Sequence, residues 1–272
     1  MSEIRGIAFI FTGAILMGSL VVFVRNLSLN PIHITFFRFS FAFLFLFAFM
    51  LLRGKKIVIT SPKLLFYMAI INVAIVTFYV ASIQLIPAGM AALLLYMAPI
   101  YVILIAYLKG EKINRTVLIA LPLSISGLYL MLSPQGYFSM GMLFGLIAGF
   151  SYAVYFFVIK RLREEMQSLE ITTIYLGISA LILLPGLILI PLGSLDVIWL
   201  IGLGLIPTAI AFTFFNYGIK YCKVEEAPLF ALVEPVSATI FGFAFYGEVF
   251  TELQIFGAIL ILTGVAMALK KI

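Results

Sequence analysis

Apolar residues run along this chain in long unbroken stretches, separated by short charge clusters and by Gly, Pro, Asn and Ser. A bilayer core of ~30 Å needs ~20 helical residues to cross it. Cutting at the polar punctuation leaves ten such stretches, at 5–25, 33–52, 64–85, 88–108, 115–132, 140–160, 170–190, 196–219, 226–246 and 252–269. Hydrocarbon offers the backbone no hydrogen bonds, so only helices or a closed barrel can span it. The stretches lack the two-residue alternation of a barrel strand. They predict an all-α integral membrane protein of ten transmembrane helices. The tightest connector is the third, where Gln84 to Ala88 must form the whole turn, with Pro87 suited to a first helical turn. The stretch after Arg5 is too long for a signal core and is followed by no small-residue cleavage site, which predicts a retained first span.

Composition agrees. Of 272 residues, 64% are hydrophobic and 10% charged, against roughly half and a quarter in soluble domains. The net charge of +6 lies in connectors, so it points to membrane-flanking loops and lipid contact rather than nucleic acid. With the amino terminus cytoplasmic, the inner segments carry Arg5, Arg53, Lys55, Lys56, Lys63, Lys109, Lys112, Arg115, Lys160, Arg161, Arg163, Lys220, Lys223, Lys270 and Lys271, against Arg25 alone outside. The positive-inside rule then places both termini in the cytoplasm and the chain in the cell membrane. A single cysteine, Cys222, excludes an internal disulfide, and with His33 as the one histidine no metal site or cofactor is expected.

The chain reads as two halves, 1–135 and 136–272. Small residues coincide when 6–25 is laid on 141–160, at Gly6/Gly141, Ala14/Gly149 and Gly18/Ala153, and Gly110-Glu111 echoes Gly247-Glu248, as Pro99 does Pro235. The offset stays between 135 and 137. Five spans per half is an odd number, so the second half enters the membrane inverted. Inverted repeats with a site between them near the midplane are a recurring architecture of secondary transporters.

Ile86-Pro87-Ala88-Gly89-Met90-Ala91-Ala92 leading to Ala98-Pro99 and Lys109-Gly110-Glu111-Lys112, with Glu225-Glu226-Ala227 leading to Glu234-Pro235 and Tyr246-Gly247-Glu248, resemble the drug/metabolite transporter superfamily and its EamA-type ten-helix members. The resemblance covers the whole chain and speaks to family more than to substrate. It implies a central cavity lined chiefly by the first four helices of each half, with helices five and ten at the periphery.

Glu234 is the strongest single candidate, about eight residues into the ninth span. A carboxylate in hydrocarbon costs at least ~2.5 kcal/mol, so it faces a cavity or is protonated. Proton coupling, a substrate amine, or backbone groups freed by Pro235 would each account for it. Arg38, inside the second span, offers a planar fork to an anion or snorkels to the outer interface. His33, at the outer mouth, reads as interfacial, with a proton-sensing role as the alternative. Asn72, Tyr79, Gln84, Tyr96, Tyr101, Tyr152, Tyr155, Asn216 and Tyr217 recur on the presumed cavity helices. Each either bonds to another helix or lines an amphipathic cavity. Ala14-x3-Gly18 and Gly141-x3-Gly145-x3-Gly149 are helix-packing faces, and Pro99 and Pro235 are candidate gating hinges.

The function expected is alternating-access transport of small organic metabolites, amino acids or related amphipathic compounds first, with export the favoured direction. A coupling proton is a candidate partner, and monomer and homodimer are both compatible. No constellation of nucleophile and base, paired aspartates or phosphate-binding loop appears in the chain, so a non-enzyme that does not use ATP is expected. A lipid or amphiphile flippase and a channel are the remaining alternatives.

Overall fold

The computed structural model describes residues 2–54, 59–86, 88–132, 139–189, 196–247 and 249–269. Among them the regular structure is helical: α1 (Ser2–Gly18, resumed as Leu20–Val24), α2 (Pro31–Leu52), α3 (Pro62–Leu85), α4 (Ala88–Leu95 and Ala98–Leu108), α5 (Arg115–Leu132), α6 (Met140–Glu165), α7 (Ser168–Leu189), α8 (Val197–Gly204, a π-helical turn Leu205–Ile210, and Ala211–Ile219), α9 (Ala227–Ala231 and Val233–Tyr246) and α10 (Glu252–Leu269). All ten are long and apolar enough to cross a membrane. Their outward faces carry exposed Leu44, Leu104, Leu118, Leu181, Phe243 and Ile259, a perimeter that water would not tolerate over so large an area.

Helix ends follow local chemistry. At α2 the Asn30 carboxamide accepts the Ile32 N–H at 2.9 Å while Pro31 holds the first position, where its missing N–H costs nothing. At α10 Thr251 and Gln254 cap each other reciprocally. Gly110 and Gly247 both take left-handed φ, +77° and +66°, which explains why each Gly-Glu pair opens on glycine at the end of α4 and α9. One boundary is corrected. The sixth span was expected to stop at residue 160, but α6 continues to Glu165, because Lys, Arg, Leu and Glu are good helix formers and Arg161 pairs with Glu164 and Glu165 one turn on.

Helix α1 packs on α8 and α9, α6 packs on α3 and α4, α2 faces α7, and α5 faces α10. Exchanging the halves maps this pattern onto itself: the first helix of each half lies on the third and fourth of the other. Since five crossings bring the chain out at the opposite end, the second five are inverted. Helices α5 and α10 chiefly contact each other. A Cβ on Gly127 would fall 2.5 Å from the Gly257 carbonyl oxygen, and one on Gly257 equally close to that of Gly127.

The small-residue faces are sites of backbone approach. A Cβ on Gly18 would lie 2.7 Å from the Ala238 nitrogen and 2.9 Å from the Glu234 carbonyl oxygen, fixing α1 to α9. One on Gly149 would lie 2.3 Å from the Leu94 carbonyl oxygen, fixing α6 to α4. Gly141 and Gly145 instead face mainly the side chains of Leu85, Ile86 and Leu94, and Ala14 is fully buried.

Candidate functional site

Helices α4 and α9 are interrupted at corresponding places, at Tyr96-Met97 and at Leu232, each just ahead of a proline. Pro99 and Pro235 have no N–H to give the carbonyls four residues back, which loosens the helix there. The break puts Glu234 in the first turn of a new helical segment, where the unpaired N–H groups and the dipole favour a negative charge. Its carboxyl turns to the Tyr96 hydroxyl, which lies beside the other interruption. The two breaks therefore meet through side chains.

A third irregularity brings in Arg38. Pro207 falls inside the π-helical turn of α8 and leaves the Leu203 carbonyl without its usual donor. The Thr208 hydroxyl donates to that carbonyl at 2.7 Å, and its oxygen accepts Nε of Arg38, also at 2.7 Å. The Arg38 guanidinium lies 5.3 Å from the Phe212 ring centre and 5.9 Å from that of Phe39. Arg38 is seven residues inside α2 and Glu234 seven inside α9 from the other end. At 1.5 Å per residue each is ~10 Å deep, and both sit in the middle third of a ~30 Å core.

Arg38 is the cation that acts on Glu234, and Tyr79, Tyr96 and Tyr152 all feel the Glu234 charge. Arg38, Tyr79, Tyr152 and Glu234 are each only partly buried although they lie deep in the bundle. These residues come from α2, α3, α4, α6 and α9, all among the first four helices of their halves.

Of the other sequence candidates, two lie beside this group and the rest elsewhere. Asn216 is fully buried: it accepts the Tyr155 hydroxyl at 2.7 Å and donates to Thr172 at 3.0 Å and to Tyr175 at 3.4 Å. This network ties α6, α7 and α8 together and adjoins the Glu234 group, since Tyr155 lies 5.9 Å from Tyr152 between ring centres and Tyr175 acts on Arg38. Asn72 donates to Ser179 at 3.2 Å, joining α3 to α7. Tyr101 packs edge-on to Phe150, and Tyr217 stands beside Phe9 and Tyr221; neither reaches the Glu234 group. The Gln84 side chain, Pro87 and Glu248 lie outside the described residues. His33 corrects an expectation. It lies in the first turn of α2 but is fully buried rather than facing the interface, and neither ring nitrogen has a hydrogen-bond partner among the described residues.

The reading of the sequence missed Thr208, Phe212 and Tyr175. The repeat held a signal for two of them: an offset of 136 carries Asn72 to Thr208, and 137 carries Arg38 to Tyr175. It also placed Lys160 and Arg163 in a solvated connector. Lys160 instead donates to the carbonyls of Ile219, Lys220 and Cys222, closing the end of α8, and Arg163 is buried against Asn216 and Met166. At this end of the bundle a cavity of about 520 Å³ lies between the halves, lined by Glu111 and Lys112 from one and by Lys160, Arg161, Glu164, Lys223 and Glu225 from the other.

The model of the EamA-like transporter family matches residues 4–133 and again 139–270. An uncharacterized transporter of Archaeoglobus fulgidus is 41% identical over 98% of this chain and 97% of its own. A probable terminal-alkyne amino-acid exporter of Streptantibioticus cattleyicolor is 27% identical over 68% of this chain and 65% of its own. A solved crystal structure superposes with a TM-score of 0.85 at 20% identity, covering 98% of this chain and 96% of that one, a likeness of fold.

Proposed function

The chain belongs to the EamA-like transporter family, and from that premise we propose that it is a secondary carrier of small organic metabolites, amino acids or related amphipathic compounds first, working by alternating access. It sits in the cell membrane with both termini in the cytoplasm, as its positive charges favour, and is not an enzyme. The observation that carries this reading is the meeting of three broken helices around Arg38 and Glu234 in the middle of the bundle, between inverted halves. Discontinuous helices at the midplane are how carriers of this architecture expose polar groups to a solute. Pro99 and Pro235 supply the hinges, and the glycine faces of α1 and α6 are the surfaces on which each half rocks against the other. Export is the favoured direction, by analogy with the amino-acid exporter of S. cattleyicolor. Glu234 is the group through which a proton couples.

Counterflow in proteoliposomes tests this. A carrier preloaded with unlabelled amino acid accelerates uptake of the labelled form and saturates. A flippase moves labelled lipid instead, and a channel shows no acceleration; either result rules the carrier reading out.

A further inference from the structure

Arg38 and Glu234 are opposite charges deep in the bundle that act on each other without closing into a pair. No ion pair joins them within 4.0 Å, although each has the other as its charged neighbour. Arg38 spends its Nε on Thr208, and its two terminal nitrogens have no acceptor among the described residues and are not fully buried. The Glu234 carboxylate has the Tyr96 hydroxyl on one side. Among the described residues no other charged group acts on Glu234, and Arg163, another buried cation, is committed to the backbone carbonyls of Asn216 and Met166.

Two buried charges held apart are costly unless something completes them, because a charge in a medium of low dielectric needs a counter-charge or a full set of hydrogen bonds. With both groups ionised the site as a whole is neutral. A monovalent anion would complete Arg38 and leave Glu234 exposed to like charge, and a monovalent cation would do the reverse. A solute carrying both a carboxylate and an ammonium satisfies both. We propose that the interior site selects zwitterions, with the solute carboxylate on the guanidinium fork of Arg38, its ammonium on Glu234, and the remainder of the solute among Tyr79, Tyr96 and Tyr152. Arginine rather than lysine suits the positive pole, because the planar fork receives a carboxylate on two parallel bonds. The tyrosines bring apolar faces with a polar tip, which accepts apolar and aromatic solute bodies. The inference rests on the carrier reading and adds the charge rule and the orientation. It also gives Glu234 its place in coupling: the carboxylate holds the ammonium on one half-cycle and a proton on the return.

Phenylalanine, its decarboxylated analogue phenethylamine and its deaminated analogue 3-phenylpropanoate test the rule, read as thermal stabilisation of the full-length protein in detergent and as competition in counterflow. For the wild type the zwitterion is expected to bind at least tenfold more tightly than either single-charge analogue. Glu234→Gln should lose that preference and favour 3-phenylpropanoate, while Arg38→Gln should favour phenethylamine. The opposite shifts of two variants are a signature that loss of fold does not produce, and the wild-type comparison stands if either variant fails to fold. Equal binding of the three compounds to the wild type, or variants that both keep the preference for phenylalanine, would overturn the proposal. Exchange of singly charged or uncharged solutes alone would leave a carrier without this site. Lipid movement with no solute exchange would remove the carrier reading itself.

Discussion

Replacing Arg163 by methionine probes the least expected feature of the bundle. Its side chain is 5% exposed. Nε donates to the Asn216 carbonyl at 2.9 Å and Nη1 to that of Met166 at 2.6 Å, with the guanidinium 5.7 Å from the Tyr217 ring centre. Hydrogen bonds from a charged donor contribute about 1.5–3 kcal/mol each, so the gross loss is roughly 3–6 kcal/mol. Methionine also removes the cost of keeping a charge out of water, which is several kcal/mol for a buried ion. Because the two effects oppose, the net loss expected is about 2 kcal/mol. Soluble domains of 150–250 residues shift by about 2–4 °C per kcal/mol, which gives a fall of about 4–8 °C in Tm on that scale. Arg163→Lys should do no better than methionine: it keeps the desolvation cost, and a point charge cannot hold two carbonyls in the geometry of the fork. Thermal unfolding in detergent, followed by size-exclusion fluorescence, reads all three proteins. A methionine variant melting within about 1 °C of wild type would mean that Arg163 is a solvated residue at a helix end and that α6 stops short of it.

Two further predictions concern packing and pH. Gly149→Ala should destabilise by about 1–3 kcal/mol, and by more than Gly145→Ala, because its new methyl meets the Leu94 carbonyl at 2.3 Å whereas that of Gly145 first meets a Leu94 methyl at 2.6 Å; relative Tm values decide. In the turn between α8 and α9, burial pushes the Glu225 carboxyl above the usual carboxylate range, its own backbone bond pulls the other way, and Glu226 adds to the rise. A raised folded pKa stabilises the protein below the unfolded value near ~4.3, and that contribution is lost as pH rises through the folded value. Glu225→Gln should therefore raise Tm at neutral pH and flatten its dependence over that window; a variant less stable than wild type at neutral pH would contradict the assignment.

The ten spans were legible because hydrocarbon forces long apolar runs, and the interruptions of α4 and α9 were legible because Pro99 and Pro235 have one physical effect wherever they occur. The close approaches at Gly18 and Gly149 followed from small residues at helical spacing. What escaped depends on direction rather than pattern. Arg163 and Lys160 belong to a cluster that marks a helix end in most membrane chains, and only the continuation of α6 past residue 160 turns one of them inward. His33 looked interfacial because it stands at the margin of an apolar run, yet the burial of a marginal residue is set by the helices around it. Thr208 carries no sequence signal of its own. It matters because Pro207 frees a carbonyl beside it and Arg38 arrives from 170 residues away.

A midplane site reached in turn from the two sides of the membrane must open to reagents on both, and Tyr152 is the position at which to measure it. The one native cysteine, Cys222, has its thiol pushed up to about 12, chiefly by burial, and Cys222→Ser gives a background free of thiols. Tyr152→Cys in that background should react with an impermeant maleimide from either face, in right-side-out and inside-out vesicles alike, and phenylalanine should slow both reactions. Labelling from one face alone, unchanged by solute, would contradict alternating access at this site.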